Sequence, residues 1–239
     1  MIALKQVSRW YSDSSFSGLG SGPSGKSPRV LDQIELELKK GEFLYVIGGT
    51  GAGKSTLLRM LATEEHPSAG SVSLFGYDLS SVGPSTLRTI RQAIAHIPQK
   101  VNLIPDLTVY ENVAIAAQLA GSRASGQGVR ARVFELLEKL GLSHKRDSQA
   151  SRLSGGEAQR VCIAQALARK PELILADEPT GAQDTDAAWG ILDLLLKEHL
   201  SGATVLLATH DREMVRRVRK KTAMLKSGRI LVEDTLCRF

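Results

Sequence analysis

Residues 43–61 constrain this chain more than any other stretch. Phe43-Leu44-Tyr45-Val46-Ile47 is a continuous apolar run with strand composition. Gly48-Gly49-Thr50-Gly51-Ala52-Gly53-Lys54-Ser55 follows, and Thr56-Leu57-Leu58-Arg59-Met60-Leu61 then has helical composition. A strand, a glycine-rich turn and a helix in that order predict an α/β fold. The spacing G-x-x-x-x-G-K-[ST] has a physical purpose. Glycines let successive backbone N–H groups converge on phosphate oxygens, the lysine reaches the outer phosphates, and the hydroxyl is placed for magnesium. The positive end of the following helix adds to the attraction. Gly48, Gly49, Thr50, Gly51, Ala52, Gly53, Lys54, Ser55 and Thr56 are therefore the candidate phosphate-binding residues.

The same pattern occurs a second time, at Gly20-Ser21-Gly22-Pro23-Ser24-Gly25-Lys26-Ser27. That copy has no strand before it and runs into Pro28, so the sequence around it predicts no nucleotide site. It lies in a Ser/Gly-rich stretch, 12–29, with almost no apolar content, which reads as a flexible loop insertion.

The remainder fits an α/β core within one domain, 1–239. Strand-like runs at Ile2 to Val7 and Ile34 to Leu38 flank the insertion and predict a small antiparallel sheet. Leu173-Ile174-Leu175-Ala176 and Thr204-Val205-Leu206-Leu207-Ala208 read as strands buried on both faces of a parallel sheet. Between 108 and 170 the apolar spacing turns helical: Val129, Val133, Leu136, Leu137 and Leu140 recur at threes and fours, as do Val161, Ala164 and Leu167. A helical insertion over about 100–165 is expected. Near the end, Ala223 to Leu231 reads as two short strands around a Ser-Gly turn.

Composition narrows the function classes. No window approaches the length of an apolar membrane span, and Met1-Ile2-Ala3-Leu4-Lys5 lacks the features of a signal peptide. A cytoplasmic location, unless a partner holds the chain at a membrane, is the expectation. The cysteines, Cys162 and Cys237, have no metal-type spacing and suggest neither a disulfide framework nor a zinc site. A net charge of +6 favours polyanions or acidic lipid without choosing between them.

Two more motifs complete the constellation. The run Leu173 to Ala176 carries Asp177 and Glu178 out at the sheet's carboxyl edge, where α/β folds bind ligands. Leu153-Ser154-Gly155-Gly156-Glu157 opens a helix with Ser154 as N-cap and two glycines exposing backbone N–H groups, a second anion-binding terminus.

Together with Thr209-His210-Asp211, these segments resemble the ATPase subunits of ABC systems over essentially the whole chain. The resemblance implies a P-loop NTPase fold of the ABC ATPase type: a mixed central sheet with an antiparallel β subdomain and a helical subdomain. It implies ATP and Mg2+ as ligands, and it gives roles by position. Tyr11 matches the aromatic that stacks on adenine, with the neighbouring Trp10 as a possible substitute. Ser55, Gln99 and Asp177 match the groups around magnesium, and Gln99 also reaches the attacking water and the membrane partner. Glu178 matches the general base and His210 the histidine on the γ phosphate. Asp184 matches the aspartate that communicates across an ATP-dependent homodimer. In that dimer, Ser154, Gly155 and Gly156 of one subunit serve the phosphate held by Lys54 of the other.

Within the superfamily, three segments resemble the cell-division ATP-binding family FtsE: Leu61 to Gly70, with the acidic pair Glu64-Glu65; Leu103 to Ala114; and Leu206 to Val215. This implies an integral membrane partner of the FtsX type, peripheral attachment at the cytoplasmic face of the inner membrane, and control of cell-wall hydrolases across it. An ATPase of a lipoprotein-releasing or macrolide-type exporter is the alternative, with the same chemistry and another membrane subunit. Departures from the FtsE pattern are Ile97-Pro98-Gln99-Lys100 and Ala182-Gln183 before Asp184. The basic run Arg212, Arg216, Arg217, Arg219, Lys220 and Lys221 reads as a solvated helix face or a lipid-headgroup contact, and nucleic acid is not the expected partner.

Overall fold

The computed structural model describes residues 1–11, 29–119, 126–181 and 183–233. The second G-x-x-x-x-G-K-S copy, most of the 12–29 insertion, Ala182 and Cys237 lie outside the described residues.

Two sheets organise the chain. β1 (Ile2–Trp10), β2 (Arg29–Leu38), β4 (Ala69–Leu74) and β5 (Tyr77–Asp78) form an antiparallel sheet in the order β2-β1-β4-β5. β2 begins five residues before the expected Ile34. Arg29, assigned from sequence to the insertion, pairs with Trp10, because β2 buries Leu31 and Ile34 while its outward positions are polar.

The second sheet contains β3 (Phe43–Ile47), β6 (Ile94–Ile97), β7 (Leu173–Asp177), β8 (Thr204–Thr209), β9 (Lys221–Lys226) and β10 (Arg229–Glu233), in the order β10-β9-β3-β8-β7-β6. β9, β3, β8, β7 and β6 are parallel neighbours, and β10 adds an antiparallel edge. The expected turn joins β9 to β10. Ser227 and Gly228 both have positive φ, 51° and 74°, which gives a hairpin turn the twist its strands need.

β3, β7 and β8 are buried at every position, as expected for parallel strands covered on both faces. Successive side chains point to opposite faces and divide the core in two. Phe43, Tyr45 and Ile47 join the cluster made with α3 (Val109–Leu119), α4 (Gly126–Lys139), α5 (Gly155–Leu167) and α6 (Thr185–Leu200). Leu44 and Val46 face α1 (Lys54–Leu61) and the antiparallel sheet. α3, α4 and α5 supply the helical region, with short 3-10 turns at Ser143–Lys145 and Ala150–Arg152 between them.

The helix starts follow local chemistry. Pro84 opens α2 (Pro84–Ala93), Asp184 caps α6, and Asp211 caps α7 (Arg212–Arg217). Ser154 and Glu157 form a reciprocal capping box on α5. α1 differs: Gly53 precedes it and no side chain caps it, which leaves its first N–H groups for a ligand.

Candidate functional site

β3 delivers the glycine loop at the carboxyl edge of the central sheet, and two glycines there are sterically required. A Cβ on Gly48 would stand 2.5 Å from the Leu225 carbonyl oxygen. Gly53 has φ +101°, and a Cβ on it would meet the Val30 carbonyl oxygen at 2.9 Å. The loop is thus pinned between β9 and β2. Lys54 follows with its side chain 8% exposed, its Nζ donating to the carbonyls of Gly48 at 2.8 Å and Gly49 at 3.3 Å.

β7 lies two strands away and ends on Asp177, in register with Ala208 of β8. Glu178 follows with φ 49°, a left-handed conformation that a glutamate adopts at some cost in strain. Its backbone N–H donates to the Ala208 carbonyl at 2.9 Å, which holds that conformation. The Glu178 carboxylate bridges two groups: Oε1 lies 3.4 Å from Lys54 Nζ and Oε2 lies 2.9 Å from His210 Nδ1. His210 also donates its backbone N–H to Oε2 at 3.3 Å. The glutamate is 9% exposed and the histidine ring 71% exposed, so the carboxylate sits at the mouth between a buried cation and solvent.

Asp177 is buried, and among the described residues its Oδ1 has no hydrogen-bond partner. An ionised acceptor in that condition is costly unless a cation or donor completes it. Ser55, Gln99 and Asp177 line one cleft, together with Glu64 and His96, which pair at 2.7 Å. The oxygen-rich set suits a hard divalent cation, so the residues present fit magnesium.

On the other side of the loop, Tyr11 lines a cleft with Val30, Gly51 to Thr56, Arg59 and Glu65. Its hydroxyl donates to Glu65 Oε2 at 2.7 Å, and the Arg9 guanidinium lies 4.7 Å from its ring centroid. Glu65 also accepts from Arg59 Nε at 2.6 Å. Burial pushes the Glu65 carboxyl up, but the hydrogen bonds from Arg59 and Tyr11 outweigh it and hold the group below its ordinary range. Trp10 faces Arg29 at 6.0 Å instead, and its backbone N–H donates to Ser68.

The third group stands apart. Ser154 accepts from the Glu157 N–H at 3.3 Å and donates its own backbone N–H to the Glu157 carboxylate at 2.8 Å. Among the described residues no hydrogen bond links Ser154, Gly155 or Gly156 to Lys54 or Glu178. Asp184 caps α6 by accepting from the Ala187 N–H at 2.8 Å. The structure thus brings Tyr11, the glycine loop, Gln99, Asp177, Glu178 and His210 around one sheet edge, and leaves the Ser154 terminus outside it.

Sequence reasoning missed the residues that hold this set in place. Arg9, Arg59 and Glu65 anchor Tyr11, although Glu65 was conspicuous as half of an acidic pair. Gln183 stood out as a departure from the family pattern. It accepts from Arg160 Nη1 at 2.7 Å and donates to the Gly156 carbonyl at 3.1 Å.

Comparison with known proteins agrees with this geometry. Residues 31–181 match the family model described as ABC transporter. The chain is 37% identical over 206 residues to the cell division ATP-binding protein FtsE of Streptococcus pneumoniae, covering 86% of this chain and 89% of that protein. It is 36% identical over 234 residues to the FtsE of Bacillus subtilis, covering 98% and 96%. It is also 41% identical over 238 residues to the methionine import ATP-binding protein MetN of Caulobacter vibrioides, covering 99% of this chain and 67% of that protein. The fold matches a dimeric post-hydrolysis state of an ATP-binding cassette bound to ADP and Pi, with a TM-score of 0.86, 33% identity and all of both chains covered. With its loop, its carboxylate pair and its mixed sheet accounted for, this chain belongs to the ABC transporter family, as an ATP-binding cassette that hydrolyses ATP.

Proposed function

We propose that residues 1–239 act as one ATP-hydrolysing unit of a membrane-associated complex in cell division, in the manner of FtsE with an FtsX-like membrane protein. The observation that carries the catalytic part is the Glu178 carboxylate, held between Lys54 and His210 beside the glycine loop. The loop amides and the α1 terminus bind the phosphates, and Lys54 exchanges its contacts with the Gly48 and Gly49 carbonyls for phosphate oxygens. Tyr11 stacks on the base. Ser55, Asp177 and Gln99 would hold magnesium, which neutralises charge on the phosphates. Glu178 takes a proton from water as the water oxygen bonds to the γ phosphorus. The bond to the bridging oxygen breaks, and ADP and phosphate leave. His210 contacts the γ phosphate and keeps Glu178 oriented.

Among the described residues Ser154, Gly155 and Gly156 make no hydrogen bond to Lys54 or Glu178, and Ser154 caps its own helix, which supports a head-to-tail ATP-dependent homodimer in which they serve the site of the second copy and Asp184 lies at the junction. The matching cassette structures in dimeric form support the same reading. Glu178→Gln tests the chemistry. The variant is expected to bind ATP, to dimerise on it, and to hydrolyse at least roughly tenfold more slowly in single turnover. Wild-type turnover would remove Glu178 from its role as base.

The division role rests on the FtsE similarity from several bacteria together with the Glu64-Glu65 pair. No helix among the described residues is long and apolar enough to cross a membrane; in this reading an FtsX-like membrane protein holds the chain at the cytoplasmic face. The 41% identity to MetN favours a second reading, methionine import with a permease subunit. Co-expression separates the two. Retention of a four-span division protein supports the first, while a permease complex whose ATPase responds to methionine supports the second.

A further inference from the structure

The glycine loop opens on a further side. Beyond the clefts that take the base and the metal, a cavity of about 440 Å³ is lined by the start of the loop, Gly48 and Gly49, and by the end of β9, Met224 to Lys226. His210 also lines it, with Nδ1 on the Glu178 carboxylate and most of the ring open to solvent. Its charge comes from Arg212 and Lys226. Both are exposed, and among the described residues neither side chain has an ion-pair or hydrogen-bond partner. Other cations nearby in sequence are already engaged, Arg217 with Glu213 and the Trp189 ring, and Lys221 with Glu42. Among the described residues no carboxylate lines the cavity, and the buried Ile47 and Leu225 give it an apolar floor.

Charge sorts the ways out for a product anion. After cleavage, ADP still fills the glycine loop and the Tyr11 cleft, so that side is closed to the phosphate. The metal cleft presents the carboxylates of Glu64 and Asp177, which oppose a second anion. Only cations face the cavity beside His210. A cleft lined by one sign of charge over low-dielectric walls concentrates the opposite ion by about tenfold or more. We propose that the Arg212–Lys226 cavity binds inorganic phosphate as it leaves the site, taking it from beside His210 and passing it to solvent. The inference rests on hydrolysis at the glycine loop as proposed above. No bond is made or broken in this step: the phosphate anion exchanges Lys54 and His210 for Arg212 and Lys226. Because neither cation is held in an ion pair, receiving the anion breaks none.

The first test titrates inorganic phosphate, followed by phosphorus NMR, into the full chain carrying Glu178→Gln and loaded with ATP and magnesium. ATP then occupies the loop, so added phosphate must bind elsewhere. Saturable binding is expected, weakened about tenfold or more by Arg212→Glu with Lys226→Glu. Arg212→Lys with Lys226→Arg keeps both charges and should stay within about threefold of the parent. The second test restores Glu178 and follows a single turnover, reading cleavage by acid quench and free phosphate by a fluorescent phosphate sensor in the same sample. In the charge-reversed pair the sensor signal should lag behind cleavage, and in the charge-keeping pair it should not. Both positions are exposed, so the fold should tolerate either pair, and matching melting temperatures check it. Absence of saturable phosphate binding would overturn the proposal, as would equal binding in the charge-reversed pair or a sensor trace that still follows cleavage. Cleavage by Glu178→Gln would remove the glutamate as base and leave the cavity testable, with a non-hydrolysable ATP analogue filling the loop in the titration.

Discussion

Most of what Lys54, Glu178 and Tyr11 do in this molecule is decided by neighbours distant in sequence. Tyr11 is the clearest case, because its ring projects from a strand end and would otherwise be free to turn. Glu65 and Arg9 fix it from 54 and 2 residues away. Glu65→Ala is expected to weaken ATP binding by about 1 kcal/mol, roughly fivefold in Kd, since a charge-assisted hydrogen bond holding the base platform is lost. Titration with a fluorescent ATP analogue checks it. Tyr11→Phe, which keeps the ring and loses the hydroxyl, should show a smaller effect in the same direction. The pH dependence has a definite sign. A carboxyl whose folded pKa lies below its ordinary 4.5 contributes its stabilisation above that value and loses it as pH falls through the lower, folded pKa. The Tyr11 anchor should therefore hold through neutral pH and weaken only in acid. No local pattern encodes such a pairing, which is why the tyrosine was legible in the sequence and its support was not. The glycine loop was legible because its function is written in consecutive backbone positions. Even so, its pattern occurs twice, and only the apolar run before Gly48 and the helix after it distinguish the copies.

The elements read most easily were those whose whole sequence is committed to burial. β3, β7 and β8 are continuous apolar runs because both faces are covered, and α4 and α5 keep a helical repeat because one face of α4 packs on α3 and α5 while α5 packs on α3 and on β6 of the sheet. β2 was read too short because its first half, Val30-Leu31-Asp32-Gln33, breaks the period-2 alternation, with Gln33 at φ 51° and shifts in its register against β1. β6 is only four residues and carries His96, so its strand character comes from pairing with β7 and not from propensity. α5 carries two tasks at one terminus, and they can be separated. Ser154→Ala removes half of the capping box and should cost about 1 kcal/mol, or roughly 2–4 °C in Tm for a chain of this size. Ser154→Asp preserves a good N-cap but puts a carboxylate where the second copy's phosphate is proposed to bind. It should keep Tm within about 1 °C of the parent and abolish ATP-induced dimerisation, read by thermal melting and light scattering.

At the scale of the molecule, the nucleotide site is assembled from parts that have separate cores. Tyr11 and Val30 come from the antiparallel sheet, Lys54 and Asp177 from the central sheet, and Gln99 from the loop leading toward the helical layer. The two apolar clusters share the central strands, whose alternate residues face one or the other. A ligand that touches all three layers therefore ties together regions that packing alone joins through one sheet. Binding to the folded state and not to the unfolded chain stabilises by about 2.7 kcal/mol at a hundredfold excess over Kd. For this size that corresponds to roughly 5–11 °C in Tm. In the Glu178→Gln background, where hydrolysis does not drain the ligand, ATP with magnesium should raise Tm by that amount. Lys54→Ala should abolish the rise by removing the cation that the phosphates need. Tyr11→Ala should reduce it, since the phosphates still bind while the antiparallel sheet no longer holds the base. If Tyr11→Ala kept the full rise, the base would be held elsewhere and the antiparallel sheet would have no part in the site. If Lys54→Ala kept it, the glycine loop itself would not be where the nucleotide binds.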